Sequence, residues 1–237
     1  MTFRNILKSI PFAVLLVKLG RRVRIAAIDR FKGRFSKSYV GNVFEEIYVM
    51  KRWMVAGDSV SGDGSTLPAT VGIRSCLPEV SRQLGIKALV DAPCGDFGWM
   101  REIVSCFDRY VGVDIVAELV TNNNRRFASD RVTFVLADIT LDPLPAGDAV
   151  LCRDCFLHLP RALILKALRN FKKTGYRYIM LTHNEPVGKY VEIITGGCRA
   201  INWRLPPFKF PEPLETIPEN TGDGRMIAIW ETSSLDI

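Results

Sequence analysis

The stretch Val90-Asp91-Ala92-Pro93-Cys94-Gly95-Asp96-Phe97-Gly98 decides how the chain folds. An apolar run at 87–91 ends on an acid and breaks at once into a turn containing Pro and two Gly. Such a run reads as a buried strand delivering its carboxyl end to a loop. Outward from it, further apolar runs fall at 110–114, 132–136, 149–152 and 178–181. The amphipathic stretches between them predict helices at 99–106, 116–127 and 161–171, with one or two more at 70–84. Short strands alternating with helices describe an α/β fold, a doubly wound and mostly parallel sheet with helices on both faces. Residues 205–213 hold four prolines and exclude a helix or central strand there. Two later strand-like pieces, 214–217 and 226–230, flank the turn-rich Glu219-Asn220-Thr221-Gly222-Asp223-Gly224. They predict a C-terminal antiparallel hairpin on the sheet edge, which makes the sheet seven-stranded.

In a doubly wound sheet, ligands bind at the carboxyl ends of the strands where strand order reverses. Asp91 closes the first predicted strand, Asp114 the second, and Asp138 follows the third, at separations of 23 and 24 residues. That spacing is about one βα repeat. A carboxylate at the end of the second strand can accept both hydroxyls of a ribose. The first turn offers only Gly95 and Gly98 where a dinucleotide site would carry GxGxxG. Without it the backbone amides that cradle a pyrophosphate are missing, so an NAD-dependent oxidoreductase is the disfavoured alternative.

From Phe44 to Trp230 the chain resembles the Rossmann-like (class I) S-adenosylmethionine-dependent methyltransferases, and more narrowly a group of small stand-alone members. The resemblance rests on Trp53, Ser61-Gly62-Asp63-Gly64-Ser65, the run 91–100, Tyr110-Val111-Gly112-Val113-Asp114-Ile115-Val116, Ala137-Asp138-Ile139 and Cys152-Arg153-Asp154-Cys155-Phe156-Leu157-His158-Leu159. It implies S-adenosylmethionine as cofactor, with Asp91 and Gly95 along the methionine part, Asp114 at the ribose, and Asp138 with Ile139 at the adenine. The cofactor-binding set it implies also takes in Trp53, Ser61, Gly62, Cys94, Ile115 and Arg153. Pro93 stands where the family's loop usually has its first glycine.

Methyl transfer from a sulfonium is an in-line displacement, so the acceptor must be positioned and water removed. A hydroxyl acceptor also needs a base near its proton. Asp154 and His158 follow the fourth predicted strand, where an acceptor would meet the methyl group, and His183, Asn184 and Glu185 follow the fifth at the same rim. Asp154, His158 and Glu185 are therefore the catalytic candidates; in its Phe-Leu-His-Leu context His158 reads equally as a satisfied core residue. Leu205-Pro206-Pro207-Phe208 imitates an amino-methylating signature but lacks the leading amide or acid, and nucleic acid is an unfavoured acceptor. Trp203, Phe208 and Phe210 suit stacking of a base or sugar ring, or, with Arg199, Arg204 and Lys209 nearby, the wall of a pocket for an acidic saccharide, or simple coverage of the sheet edge. The expected reaction is O-methylation of a hydroxyl on a saccharide, a lipid-linked glycan or a similar metabolite.

Net charge sorts the chain into two parts. Residues 1–37 carry ten Lys or Arg against the single acid Asp29; subtracting that +9 from the overall +7 leaves −2 for the other 200 residues. A basic arm on a near-neutral body argues against a whole face built to grip nucleic acid. The expected organisation is a basic amphipathic arm at 1–39 and a methyltransferase domain at 40–237. The arm's apolar run, 10–17, is far short of the roughly 20 residues of a membrane span, and basic residues follow it where a cleavage site would need small ones. The arm suits either peripheral contact with an anionic inner membrane face or packing on protein. Six scattered cysteines without an export signal fit free thiols in the cytoplasm. A lone CxxC at Cys152 and Cys155 supplies too few ligands for zinc, and no metal is expected. A non-catalytic membrane- or RNA-binding scaffold remains the rival from another class.

Overall fold

The computed structural model describes residues 38–237 apart from Gly57 and Asn220. The basic arm, with its membrane expectation, lies outside the described residues. In chain order the elements are α1 (Tyr39–Val49), α2 (Val71–Leu84), β1 (Ala88–Asp91), β2 (Arg109–Asp114), α3 (Ala117–Phe127), β3 (Val132–Leu136), β4 (Ala149–Cys152), α4 (Arg161–Thr174), β5 (Tyr178–Asn184), β6 (Glu215–Pro218) and β7 (Arg225–Glu231).

The strands form one seven-stranded sheet in the order β3-β2-β1-β4-β5-β7-β6. The first five run parallel; β7 pairs antiparallel with both β5 and β6. This is the predicted fold, hairpin included. Strand order reverses between β1 and β4, which locates the crevice for a ligand.

Period-two alternation divides the strands between two cores. Val150 and Cys152 of β4 join one core with Ile164, Leu168 and Phe171 of α4. Ala149 and Leu151 join the other with Ile73 and Leu77 of α2. All seven residues of β5 are buried, as expected of a central strand covered on both faces. Gly72 lets α2 sit close against the end of β6: a Cβ there would lie 2.4 Å from the Pro218 carbonyl oxygen.

Two local expectations change. Residues 99–106 are not an α-helix but two single 3-10 turns, Met100–Glu102 and Val104–Cys106. Ile103, at φ −126°, interrupts them, while Trp99 and Met100 are buried in the second core. Packing two large side chains decides this short segment over helical regularity. The second change is at β5, which continues through Thr182, His183 and Asn184 against Ile227, Met226 and Arg225 of β7. Two of the three expected rim residues are thus buried strand positions.

The helix α1 was not foreseen as an element. Ser38 caps it by accepting from the Gly41 amide at 2.9 Å. Its buried Glu45 accepts from the Ala117 amide at 2.8 Å. Val116, the N-cap of α3, makes no side-chain cap hydrogen bond, so α1 supplies a capping acceptor that adds to Glu118 in the helix's own first turn. Among the described residues, no helix is long and apolar enough to cross a membrane.

Candidate active site

The first turn is held from both sides. Ala92 donates its amide to the Leu151 carbonyl of β4 at 2.8 Å, and Cys94 donates to the Val113 carbonyl of β2 at 2.9 Å. The backbone therefore crosses the sheet's switch point. Gly95, at φ +56°, donates to Asp114 Oδ2 at 3.0 Å, and Asn123 donates to the Gly95 carbonyl at 2.8 Å. A Cβ on Gly95 would come 2.5 Å from Ser61 Oγ, so only glycine fits both the torsion and the approach.

Asp96 stitches the preceding loop to this turn. Its carboxylate accepts from Ser59 Oγ at 2.7 Å and from the Val60 amide at 2.8 Å, while its own amide donates to Ser61 Oγ at 2.9 Å.

A cavity opens at the carboxyl ends of β1 to β4, lined by Asp91, Asp114 and Asp138. Asp91 Oδ2 accepts from the Tyr110 hydroxyl at 2.8 Å. Burial pushes the Asp91 carboxyl up to about 7, opposed by the Tyr110 donor and the Arg153 charge. Burial also raises Asp114, to about 6, against the Val116 and Gly95 amides that donate to it. Asp138 Oδ1 accepts from the Thr140 amide and hydroxyl at 2.9 and 2.6 Å. Its Oδ2 is buried and has no hydrogen-bond partner among the described residues. A buried carboxylate oxygen without a donor is costly, and a ligand N–H would satisfy it.

Behind β4 four charges close a ring. Arg153 Nε lies 2.5 Å from Glu219 Oε1, Glu219 Oε2 is 2.9 Å from Arg225 Nε, and Asp154 Oδ2 sits 3.0 Å from Arg225 and 3.2 Å from Arg153. Two positive and two negative groups alternate, so the ring is neutral. Arg153 also donates to the Gly64 carbonyl at 2.7 Å, which ties the Ser61–Ser65 loop to the end of β4. Asp154 holds a left-handed φ of +50°, a strained torsion for a non-glycine residue.

His158 lines the same cavity and stacks on Trp53, ring centroids 4.5 Å apart. Its Nδ1 lies 2.6 Å from the Gly197 carbonyl. A carbonyl only accepts, so Nδ1 carries the proton and Nε2 is the ring's free acceptor. Burial lowers the pKa of this imidazole, with the Arg199 charge acting the same way and the Gly197 carbonyl and Asp154 opposing. The ring is thus kept neutral in the tautomer a base requires.

Of the residues expected from sequence, the cavity gathers Trp53, Ser61, Asp91, Cys94, Gly95, Asp114, Ile115, Asp138, Ile139, Arg153, Asp154 and His158. Gly62 belongs to the adjoining loop but is not in the lining. Glu185 is also outside it: half-exposed, it accepts from His183 Nε2 at 3.2 Å and pairs with Arg204 at 3.3 Å. Of the alternatives for Trp203 and its neighbours, the described residues match coverage of the sheet edge and not an acidic-saccharide pocket. Trp203 is fully buried and stacks on Phe210, Arg199 is buried against backbone carbonyls, and Arg204 pairs with Glu212.

The sequence reading missed the wall that α1 supplies, formed by Val40, Phe44, Ile47 and Tyr48. The signal was present, since these positions lie on one helical face. It also missed Glu219 and Arg225, for which no local signal exists.

Residues 90–179 match the family model described as a methyltransferase domain. No curated protein matches the chain. Among solved structures, the chain is similar to a Burkholderia thailandensis 1,6-didemethyltoxoflavin-N1-methyltransferase with bound 1,6-didemethyltoxoflavin and S-adenosylhomocysteine. The two are 18% identical at a TM-score of 0.55, covering 79% of this chain and 84% of that one. It is also similar to human N-acetylserotonin methyltransferase in complex with S-adenosylmethionine, at 14% identity and TM-score 0.53, covering 86% of this chain and 64% of the human one. The N-methyltransferase NodS of Bradyrhizobium japonicum matches at 11% identity and TM-score 0.52, over 70% of this chain and 97% of that one. A parallel sheet closed by an antiparallel β7 is the fold these enzymes share. The chain thus has the fold of these methyltransferases, and its residues 90–179 carry the match to a methyltransferase domain.

Proposed function

We propose that this protein moves the methyl group of S-adenosylmethionine to a hydroxyl of a small, ring-bearing metabolite such as a saccharide or lipid-linked glycan, with residues 40–237 as the catalytic domain. The observation that carries the reading is the row of three carboxylates, Asp91, Asp114 and Asp138, lining one cavity, the last with a buried oxygen awaiting a donor. When bound, the cofactor supplies an electrophilic methyl on a sulfonium. Asp138 Oδ2 accepts from the adenine amino group, Asp114 holds the ribose hydroxyls, and Asp91 faces the amino group of the methionine part. Arg153 contributes by fixing the Gly64 carbonyl and hence the Ser61–Ser65 loop.

The acceptor's wall is Trp53 with Phe44 and Tyr48, flat surfaces on which a ring stacks. Among the described residues, the one Lys or Arg lining the cavity, Arg153, is already paired with Glu219 and Asp154, which favours a neutral acceptor over an acidic one. His158 takes the hydroxyl proton on Nε2, since Asp154 is held by two arginines.

Calorimetry with S-adenosylhomocysteine and with NAD tests the cofactor. Binding of NAD alone would sink the reading. Isotopic methyl transfer to panels of saccharides, phenols and amines, with the methylated atom found by mass spectrometry, tests the acceptor; the proposal requires methyl on oxygen and a His158→Gln variant that still binds S-adenosylhomocysteine but loses turnover. For the arm, we propose peripheral contact with anionic membrane, given its +9 charge. Deleting residues 1–37 then abolishes sedimentation with phosphatidylglycerol vesicles, and unchanged sedimentation removes the idea.

A further inference from the structure

Given the proposed role of His158 as base, on which the inference rests, the machinery that sets the imidazole lies outside the cavity, in the segment 190–199. His158 ends a single 3-10 turn, Phe156–His158. So short a turn leaves its carbonyls with few partners of its own and has little stiffness by itself.

Here three of the four carbonyls from Phe156 to Leu159 find their partner in one side chain. Buried Arg199 donates to the carbonyls of Phe156 at 3.0 Å, Leu157 at 3.1 Å and Leu159 at 2.7 Å. Its backbone amide donates to the Leu157 carbonyl as well, at 3.1 Å, and the Gly196 amide donates to the His158 carbonyl at 2.9 Å. Tyr190 braces the guanidinium twice, accepting from it through the hydroxyl at 2.8 Å and lying under it with its ring centroid at 4.7 Å. Every carbonyl from Phe156 to Leu159 is thereby engaged by the 190–199 segment. The same segment brings the Gly197 carbonyl to 2.6 Å from His158 Nδ1.

We propose that Arg199 is a positioning residue for His158: by clamping the Phe156–Leu159 turn onto the 190–199 segment, it keeps the Gly197 carbonyl on Nδ1–H and so reserves Nε2 as the proton acceptor. Arg199 is absent from the cavity lining, so it acts on the site through His158. A guanidinium suits the task because its planar fork reaches several carbonyls at once, whereas an ammonium is a point donor. If the clamp loosens, the Gly197 carbonyl no longer selects the tautomer and the Nε2–H form, which cannot accept a proton at the nitrogen facing the cavity's acceptor, gains population.

Nitrogen-15 NMR of the full chain reads the tautomer directly, with His158→Gln identifying the resonance. The expected wild-type pattern is Nδ1 protonated and Nε2 bare. In Arg199→Lys, which keeps the charge, Nε2–H becomes visibly populated and kcat falls about 10- to 100-fold, within the range general-base catalysis supplies. Affinity for S-adenosylhomocysteine stays within about twofold, which a global loss of structure would not permit. Should Arg199→Lys fail to fold, Tyr190→Phe is read by the same NMR criterion, since it removes only the hydroxyl that braces the guanidinium. A folded variant whose His158 remains wholly Nδ1–H overturns the proposal. If the tautomer shifts but His158→Gln retains full turnover, the positioning stands and the base assignment falls.

Discussion

Arg153 Nε and Glu219 Oε1 lie 2.5 Å apart with side chains 4% and 0% exposed, joining the end of β4 to the residue after β6 across 66 positions of sequence. Burial alone would drive Glu219 toward its neutral form, and its pKa is indeed raised, opposed by the Arg153 and Arg225 charges. The pair is held as part of a neutral ring in which Arg153 also anchors the Gly64 carbonyl. Breaking one member leaves the others buried and uncompensated, which is worse than having built none. Glu219→Ala is expected to lower stability by about 3–5 kcal/mol in urea denaturation. An effect under about 1 kcal/mol, the value of a surface pair, would mean the ring is hydrated in solution.

Asp138 provides a sharper test of the cofactor's orientation. Thr140 occupies Oδ1, and no described residue hydrogen-bonds Oδ2. If the adenine amino group is its partner, Asp138→Ala removes one hydrogen bond to a charged acceptor, about 1.5–3 kcal/mol. S-adenosylhomocysteine affinity then drops about 10- to 150-fold by calorimetry. The inosine analogue, which presents a carbonyl in place of the amine, binds wild type poorly and gains relative to the natural ligand in Asp138→Asn. Equal wild-type affinity for both ligands would place the base elsewhere.

The sheet was legible because parallel central strands are continuous apolar runs that end on turn residues, and the acids at those ends keep the βα spacing. Ala149–Cys152 and Val132–Leu136 coincide with their predicted bounds for this reason. The site was legible only where it is local in sequence. Asp91, Asp114 and Asp138 announce themselves, but the partners of Asp154 are Arg225, 71 residues away, and Thr182, 28 residues away. The periodicity of α1 was readable, yet nothing in it says which helix end Glu45 will cap. Glu185 misled because β5 runs three residues beyond its apolar core, carrying His183 inward and turning Glu185 toward Arg204 instead of the cavity.

The two raised carboxyls predict opposite pH behaviour for stability and for binding. In the free protein Asp91 is held near 7 and Asp114 near 6, against an ordinary value of 3.8. A raised folded pKa means the native state binds more protons than the unfolded one in that window. Their contribution is therefore complete below about pH 3.8 and is lost as pH rises through 6 and 7. A ligand bearing an ammonium group favours the ionised carboxylate, so S-adenosylhomocysteine affinity is expected to climb from pH 5.5 to 8, with proton release on binding. Calorimetry in two buffers of different ionisation enthalpy measures that release. Tyr110→Phe removes a donor that stabilises the Asp91 carboxylate and moves the rise to higher pH. A flat profile between pH 5.5 and 8 would show that Asp91 does not meet the ligand's amino group.

Three groups were candidates for the base, and their surroundings give each a different expected variant. Glu185 is 39% exposed, outside the cavity, with a pKa lowered first by the His183 hydrogen bond and then by Arg204. Glu185→Gln keeps an acceptor for His183 and is expected to leave kcat within about twofold, as a surface change away from the chemistry does. Asp154 is already paired with Arg153 and Arg225, and Asp154→Asn opens the charge ring. Its expected effect is a loss of stability and of cofactor affinity, with the acidic limb of the pH–rate profile unmoved. His158 alone combines a neutral ring, a fixed tautomer and a place in the lining. Because its pKa is lowered, the base form persists below the usual imidazole value of about 6.5, and activity falls only as pH drops under that point. An acidic limb that disappears in Asp154→Asn while surviving in His158→Gln would hand the proton to the carboxylate.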